Sequence, residues 1–176
     1  MIRNIKFIVI LLFSLFIFVV LLKGLNQPNS YSPDNISNKI ETKIKAKMLF
    51  TNKEISLDEL INRNNFSIIN IWASWCLPCR DEHVHLLKLK NLSKIDIIGI
   101  NYKDKKSNAK EFLSELGNPY LEVLIDLDGT KSIELGAIGV PETYLIKNKI
   151  ILKKYIGPLD DMKFKEIIEI TKNEKN

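Results

Sequence analysis

Two cysteines and two histidines are all that the 176 residues contain, and this scarcity excludes a good deal. A structural zinc site needs four donors converging on one ion, and the only candidates are Cys76, Cys79, His83 and His85. On a continuous helix, at about 100° per residue, His83 falls about 20° from Cys76 while His85 falls about 180° away. The four do not converge, so no metal site is read, and no cofactor either. A block of positive charge is also lacking: 26 Lys and Arg stand against 21 Asp and Glu. Three of the basic residues, Arg3, Lys6 and Lys23, flank an apolar run. The excess of two that is left lies scattered along the chain, which excludes a nucleic-acid footprint. No internal repeat is visible.

The apolar run is the longest uncharged stretch. Residues 7–22 (FIVILLFSLFIFVVLL) contain Ser14 as their only polar side chain. At about 1.5 Å per residue they cover roughly 24 Å, slightly less than a hydrocarbon core of about 30 Å. Ile5, Gly24-Leu25 and snorkelling lysines extend the reach. A cleaved export signal carries a small-x-small site after its apolar region, and here Leu21-Leu22-Lys23-Gly24-Leu25-Asn26 follows instead. Residues 1–25 are therefore expected to be a transmembrane anchor held in the bilayer through residues 5–25. Arg3 and Lys6 keep the N-terminus cytoplasmic and place the rest of the chain across the membrane. Residues 26–39, rich in Asn, Ser and Pro, read as a linker, and residues 40–176 as one domain large enough to bury its own core.

Within that domain, strand-like and helix-like runs alternate. Strands are expected at residues 47–50, 67–73, 96–100 and 121–125, then a hairpin of 143–146 with 150–155 turning on Lys147-Asn148-Lys149. Helices are expected after the capping-box pattern Ser56-Leu57-Asp58-Glu59, at 76–92, at 107–116 before the stop Gly117-Asn118-Pro119, and at 159–170, with Met162, Ile167 and Ile170 on its apolar face. Asp126-Leu127-Asp128-Gly129 lacks the further acidic ligands of a calcium loop and reads as a turn. Strands separated by helices, then an antiparallel hairpin, imply an α/β domain of thioredoxin-like fold, a central mixed sheet flanked by helices.

Both cysteines lie in Trp75-Cys76-Leu77-Pro78-Cys79-Arg80, between a buried strand and a helix. A C-x-x-C pair in that position reads as a redox-active disulfide. At the helix start, unpaired N–H groups and the positive end of the dipole favour the Cys76 thiolate. Cys79, one turn deeper, is then the resolving thiol. A purely structural bridge would close too short a loop to contribute much. Glu82 is either a proton acceptor for Cys79 or an ordinary solvated helix residue, and spacing does not choose. On this fold, Pro141 in Gly139-Val140-Pro141-Glu142-Thr143 is expected to be cis and to face the cysteines, leaving the Val140 backbone free to pair with a substrate strand.

Four separated stretches together resemble one family. They are Ala73-Ser74-Trp75-Cys76-x-x-Cys79-Arg80-x-Glu82-His83, Gly99-Ile100-Asn101-Tyr102-Lys103-Asp104, Leu116-Gly117-Asn118-Pro119-Tyr120 and Gly139-Val140-Pro141-Glu142-Thr143-Tyr144. All are similar to the CcmG (DsbE) family of membrane-tethered, thioredoxin-like proteins of cytochrome c maturation, over roughly residues 45–160. The resemblance implies a thiol:disulfide oxidoreductase acting as a periplasmic reductant at the inner membrane. It would be fed by a DsbD- or CcdA-type electron donor and would pass electrons to apocytochrome c or a CcmH-type maturation protein. It also implies active-site roles for Glu82 and Glu142, with Trp75, Val140, Pro141 and Glu142 forming the substrate-binding surface, and an insert over residues 101–120. Asn70 stands where thioredoxins typically carry a buried Asp. The competing functions are a general thiol–disulfide oxidoreductase of exported proteins and a membrane-tethered copper chaperone. Copper chaperones on this fold space their cysteines more widely and use a distant histidine.

Overall fold

Phe66-Ser67-Ile68-Ile69-Asn70-Ile71-Trp72 is apolar on both faces, and such a strand is stable only when covered from both sides. In a computed structural model, which describes residues 2–25, 44–61, 66–92 and 95–173, this stretch forms β3 (Phe66–Trp72), buried at every position. It lies inside a seven-stranded sheet with β1 (Lys45–Met48), β2 (Glu54–Ser56), β4 (Asp96–Tyr102), β5 (Glu122–Asp126), β6 (Glu142–Lys147) and β7 (Ile150–Ile156), in the order β2-β1-β5-β4-β3-β6-β7. β3, β4 and β5 are mutually parallel, β6 runs antiparallel to β3 and pairs with β7, and β1 is antiparallel to both β2 and β5. This is the mixed α/β sheet read from the sequence.

Because successive strand residues face opposite ways, the sheet builds two cores. On one side Ile69, Ile71, Ile98, Ile100 and Tyr144 pack with Leu57, Leu60 and Ile61 of α2 (Leu57–Ile61). On the other, Ile68, Trp72 and Ile97 meet α3 (Leu77–Leu92), α4 (Lys106–Leu116) and α6 (Asp161–Asn173) through Cys79, Leu86, Leu89, Phe112 and Ile167. Asn70, between Ile68 and Trp72 in the period of two, faces this second layer. Its cross-strand neighbours are Gly99 on β4 and Thr143 on β6.

The departures from expectation are local. β2 and the one-turn helix α5 (Thr130–Glu134) were not anticipated, because a three-residue edge strand and a five-residue helix are too short for a periodic signal. β1 starts two residues early, and residues 49–50 belong to a turn. Ser56 closes β2, and the N–H of Leu57 bonds Ile44 O at 2.9 Å. Helix α6 begins at Asp161, which leaves Met162 77% exposed, whereas Ile167 is fully buried. The stretch assigned as an insert is the end of β4 followed by α4 and the approach to β5, and β5 then slots between β4 and β1. The linker and the start of the domain at residue 40 lie outside the described residues. Helix α1 (Ile2–Leu25) exposes its apolar side chains from residue 8 to 22. Among the described residues no helix is long and apolar enough to cross a membrane.

Gly99 makes a close approach possible. A Cβ there would lie 2.9 Å from Trp72 Nε1 and 3.0 Å from the Tyr120 ring, which stacks on Trp72 at 5.5 Å between centroids. Gly99→Ala is expected to lower stability by about 1–3 kcal/mol, the usual cost of overpacking a dense core. Urea unfolding measures it, and an unchanged midpoint would mean that the two rings move aside freely.

Candidate active site

The chain leaves β3 at Ala73 and must reverse into α3 within a few residues. Asp104, just past the end of β4, fixes that reversal. Its carboxylate accepts the Ser74 N–H at 2.7 Å, the Ser74 hydroxyl at 2.8 Å and the Asn101 amide at 3.0 Å. Trp75 donates its indole N–H to Lys103 O at 3.1 Å while its ring stays 58% exposed. The tight turn closes with Cys76 N–H on Ala73 O.

Cys76 directly precedes the first helical residue, Leu77. Pro78 occupies the first turn, where a missing N–H costs little. Cys76 and Cys79 are joined as a disulfide with Cα atoms 5.3 Å apart, and both are nearly buried. The Cys79 N–H points at Cys76 Sγ, 3.2 Å away. The sulfur thus takes the place of a capping oxygen at the helix N-terminus, and once reduced it would be stabilised as thiolate by that N–H and by the helix dipole.

One turn beyond Cys79, Glu82 points into the sheet rather than outward. It is completely buried, so it is not a solvated helix residue. One carboxylate oxygen accepts the Asn70 amide at 2.8 Å, and the other accepts the Leu159 N–H at 2.8 Å. Asn70 also donates to Thr143 Oγ1 at 3.1 Å and accepts the Tyr120 hydroxyl at 2.8 Å. The carboxylate that thioredoxins place on the strand is here supplied by the helix, and Asn70 orients it. Burial pushes the Glu82 carboxyl up to about 7, against the opposing pull of the Leu159 N–H, the Asn70 amide and the Lys163 charge. Burial and the nearby Glu82 charge raise the Tyr120 phenol well above its ordinary value, so it remains a donor.

The Val140-Pro141 peptide bond is cis, as the fold led us to expect. Val140 is half-buried against the cluster that holds both cysteines, and among the described residues no hydrogen bond involves its backbone. Pro141 is buried, and its carbonyl accepts the Gly157 N–H at 3.0 Å. Glu142 is fully buried: its carboxylate takes the Ile138 and Gly139 N–H groups and the Tyr144 hydroxyl. Any influence it has on a bound chain therefore passes through that loop. The histidines diverge, as their helical angles require. Buried His83 bonds Gly117 O at 2.9 Å and is held below its ordinary pKa by burial, while His85 reaches Asp161.

Tyr120, Thr143, Asp104 and the Leu159 N–H were not singled out from the sequence. Thr143 meets Asn70 through strand register. Tyr120 arrives from the loop after α4, so only the three-dimensional path of the chain joins it to Asn70. The four motif stretches did contain three of the four residues, and that was the available signal.

A thioredoxin-like sheet with a C-x-x-C disulfide at a helix start and a cis-proline strand beside it defines the class: a thiol–disulfide protein of thioredoxin-like fold. The redoxin family profile matches residues 38–168, and the chain belongs to that family. It is 43% identical over 112 residues to the thiol:disulfide interchange protein CycY of Rhizobium leguminosarum, a match covering 63% of this chain and 60% of that protein. It is 45% identical over 101 residues to the thiol:disulfide interchange protein DsbE of Pseudomonas aeruginosa, covering 57% and 56%. The chain thus spans less than two thirds of the length of these relatives. Among solved structures, a DsbF homologue from Corynebacterium diphtheriae superposes with a TM-score of 0.66 at 20% identity, covering 82% of this chain and 96% of that one, a likeness of fold.

Glu82 also sets a pH dependence. Folded, it holds its proton up to about pH 7, and unfolded only to about its ordinary value of 4.5. Between those limits the native state binds more protons, so stability falls as pH rises and levels off above the window. The full swing is about 3 kcal/mol at 1.36 kcal/mol per unit. Denaturation of the oxidised protein between pH 4.5 and 8 is expected to show this decline, and Glu82→Gln is expected to flatten it. Parallel curves for the two proteins would show that Glu82 does not titrate there.

Proposed function

We propose that the protein is a membrane-tethered protein-disulfide reductase serving cytochrome c maturation. The observation that carries this reading is a cysteine pair at a helix start, backed by a buried carboxyl group poised near neutrality. The Cys76 thiolate attacks one sulfur of a protein disulfide, forming a mixed disulfide and expelling the other sulfur as thiolate. Cys79 gives its proton to the Glu82 carboxylate, and its sulfur attacks Cys76 Sγ. The internal disulfide closes and the second substrate thiolate leaves, taking a proton from Glu82 or solvent. Two electrons have moved from the pair to the substrate. Trp75 and Val140, which precedes the buried Pro141, form the surface on which an extended substrate segment lies, and the Val140 backbone pairs with it.

Residues 1–25 anchor the chain in the inner membrane, residues 26–39 tether it, and residues 40–176 form the periplasmic domain. The basic flank at Arg3 and Lys6 and the uncharged run between Lys6 and Lys23 support this arrangement. An exported pair stays reduced only if electrons cross the membrane, so a DsbD- or CcdA-type donor is implied. The recipient is apocytochrome c or a CcmH-type protein, in line with the relatives named thiol:disulfide interchange protein DsbE and CycY.

Alkylation of growing cells is expected to find Cys76 and Cys79 mostly reduced, and a mostly oxidised pair would reverse the direction of transfer. Cys79→Ser is expected to accumulate a mixed disulfide through Cys76 with apocytochrome c or a maturation protein. Recovery of unrelated exported proteins alone would indicate a general oxidoreductase. Stoichiometric copper binding by the domain, abolished by Cys76→Ser, would point to a chaperone.

A further inference from the structure

The loop of residues 136–140 delivers the chain to the cis-proline, and only its first half is held by backbone bonds, from the Gly136 N–H to Ile133 O at 2.8 Å and from the Ala137 N–H to Ser132 O at 2.9 Å. Gly136 and Gly139 have nothing within 4 Å of a would-be Cβ, Ile138 is 79% exposed, and Gly136 sits at a positive φ of 75°. Such a segment has high backbone entropy. Yet it must present the Val140 backbone at a fixed height beside the Cys76–Cys79 pair.

What pins it comes from beneath. Glu142 Oε1 accepts the Ile138 N–H at 2.8 Å and the Gly139 N–H at 3.1 Å. Glu142 Oε2 accepts the Tyr144 hydroxyl at 2.9 Å and pairs with Lys154 Nζ at 2.9 Å. Lys154 enters from the adjacent strand β7, opposite Tyr144 in the β6–β7 register. Its side chain is only 9% exposed, its ammonium lies 5.3 Å from the Tyr144 ring centroid, and it donates to Gly136 O at 2.7 Å. One ion pair therefore reaches both ends of the loop: the lysine adds to the backbone bonds at Gly136, and the glutamate holds Ile138 and Gly139. A surface ion pair would contribute little. This pair is buried and hydrogen-bonded at both charges, and removing one partner strands the other.

We infer that Lys154 is a positioning residue for substrate binding: paired with Glu142, it fixes the 136–140 loop and thereby the affinity for a protein disulfide, without touching substrate or cysteines. This rests on the reductase reading above. The pair is remote from the electron transfer itself, so it governs how tightly an extended chain docks and leaves the reactivity of Cys76 alone.

The test uses the reduced protein and Lys154→Met, which keeps the stem over Tyr144 but loses the charge. Stopped-flow single turnovers with an oxidised Cys-x-x-Cys-His peptide give a half-saturating concentration and a limiting rate. Oxidised glutathione, too small to need the loop, reports the reactivity of Cys76. Amide exchange at Ile138 and Gly139 reports the loop directly. Lys154→Met is expected to raise the half-saturating concentration at least tenfold and to speed exchange at both amides at least tenfold. The limiting rate and the glutathione rate should stay within twofold, and Lys154→Arg should restore docking. If the single variant does not fold, the double variant Glu142→Gln with Lys154→Met strands no charge. It should still show the raised half-saturation, because the lysine bond to Gly136 O is gone. Unchanged exchange at the loop, unchanged half-saturation, or an equal loss toward peptide and glutathione would overturn the inference. A wild-type protein that reduces neither disulfide would instead overturn the reductase reading, and the exchange measurement would still decide whether Lys154 holds the loop.

Discussion

A carboxyl group buried against the middle of a β-strand is the constraint to which the rest of this domain conforms. Glu82 has no access to water, so each of its two oxygens must find a donor within the protein, and an unmet one would cost several kcal/mol. Asn70 supplies one donor from β3, and the Leu159 N–H supplies another from the segment entering α6. Those two bonds fix the rotation of α3 about its axis and the point where α6 docks. They also place Cys79, one turn earlier on the same helix, beside the sheet. Asn70 in turn must be satisfied, which draws in Thr143 from β6 and Tyr120 from the loop after α4. Tyr120 reaches it only because Gly99 carries no side chain.

The arrangement costs stability at the pH where the protein would work, since a carboxylate ionised near neutrality is kept in a dry site. A glutamine at position 82 would avoid that penalty, but its amide nitrogen would face one of the two N–H donors, so the carboxylate meets both the packing and the chemistry proposed for it. Strands and helices that serve packing alone rarely retain a group whose charge opposes folding. The second buried acid, Glu142, is handled differently: a lysine neutralises it, and its energy is spent on the loop before the cis-proline. One acid is held by neutral donors, and the other by a lysine as well. They occupy opposite faces of the sheet, one under the cysteines and one under the loop.

Much of this was legible in the sequence. The fold followed from the alternation of buried strands with helices, and β3, α3, α4 and the terminal hairpin fell within a residue or two of their expected ends, because long periodic runs declare themselves. Cys76, Cys79 and the cis Val140-Pro141 bond were placed by motif and fold together. β2 and α5 were invisible, as they are too short for a periodic signal: β2 is held by its pairing with β1, and α5 by the Asp126 carboxylate. The burial of Glu82 was also out of reach: on a helix of mixed polarity, its inward direction is set by Asn70, twelve residues away on β3. Glu142 followed the same logic, for its partner Lys154 on β7 meets it only through the register of the hairpin.

The direct test of this account is the ionisation of Glu82 itself. Infrared difference spectra of the carboxyl stretch, taken across pH on the oxidised protein and assigned by Glu82→Gln, report it without reference to activity. A band, lost in the variant, is expected to titrate near pH 7. A Glu82 carboxyl that titrates near 4.5, in the ordinary carboxylate range, would contradict it.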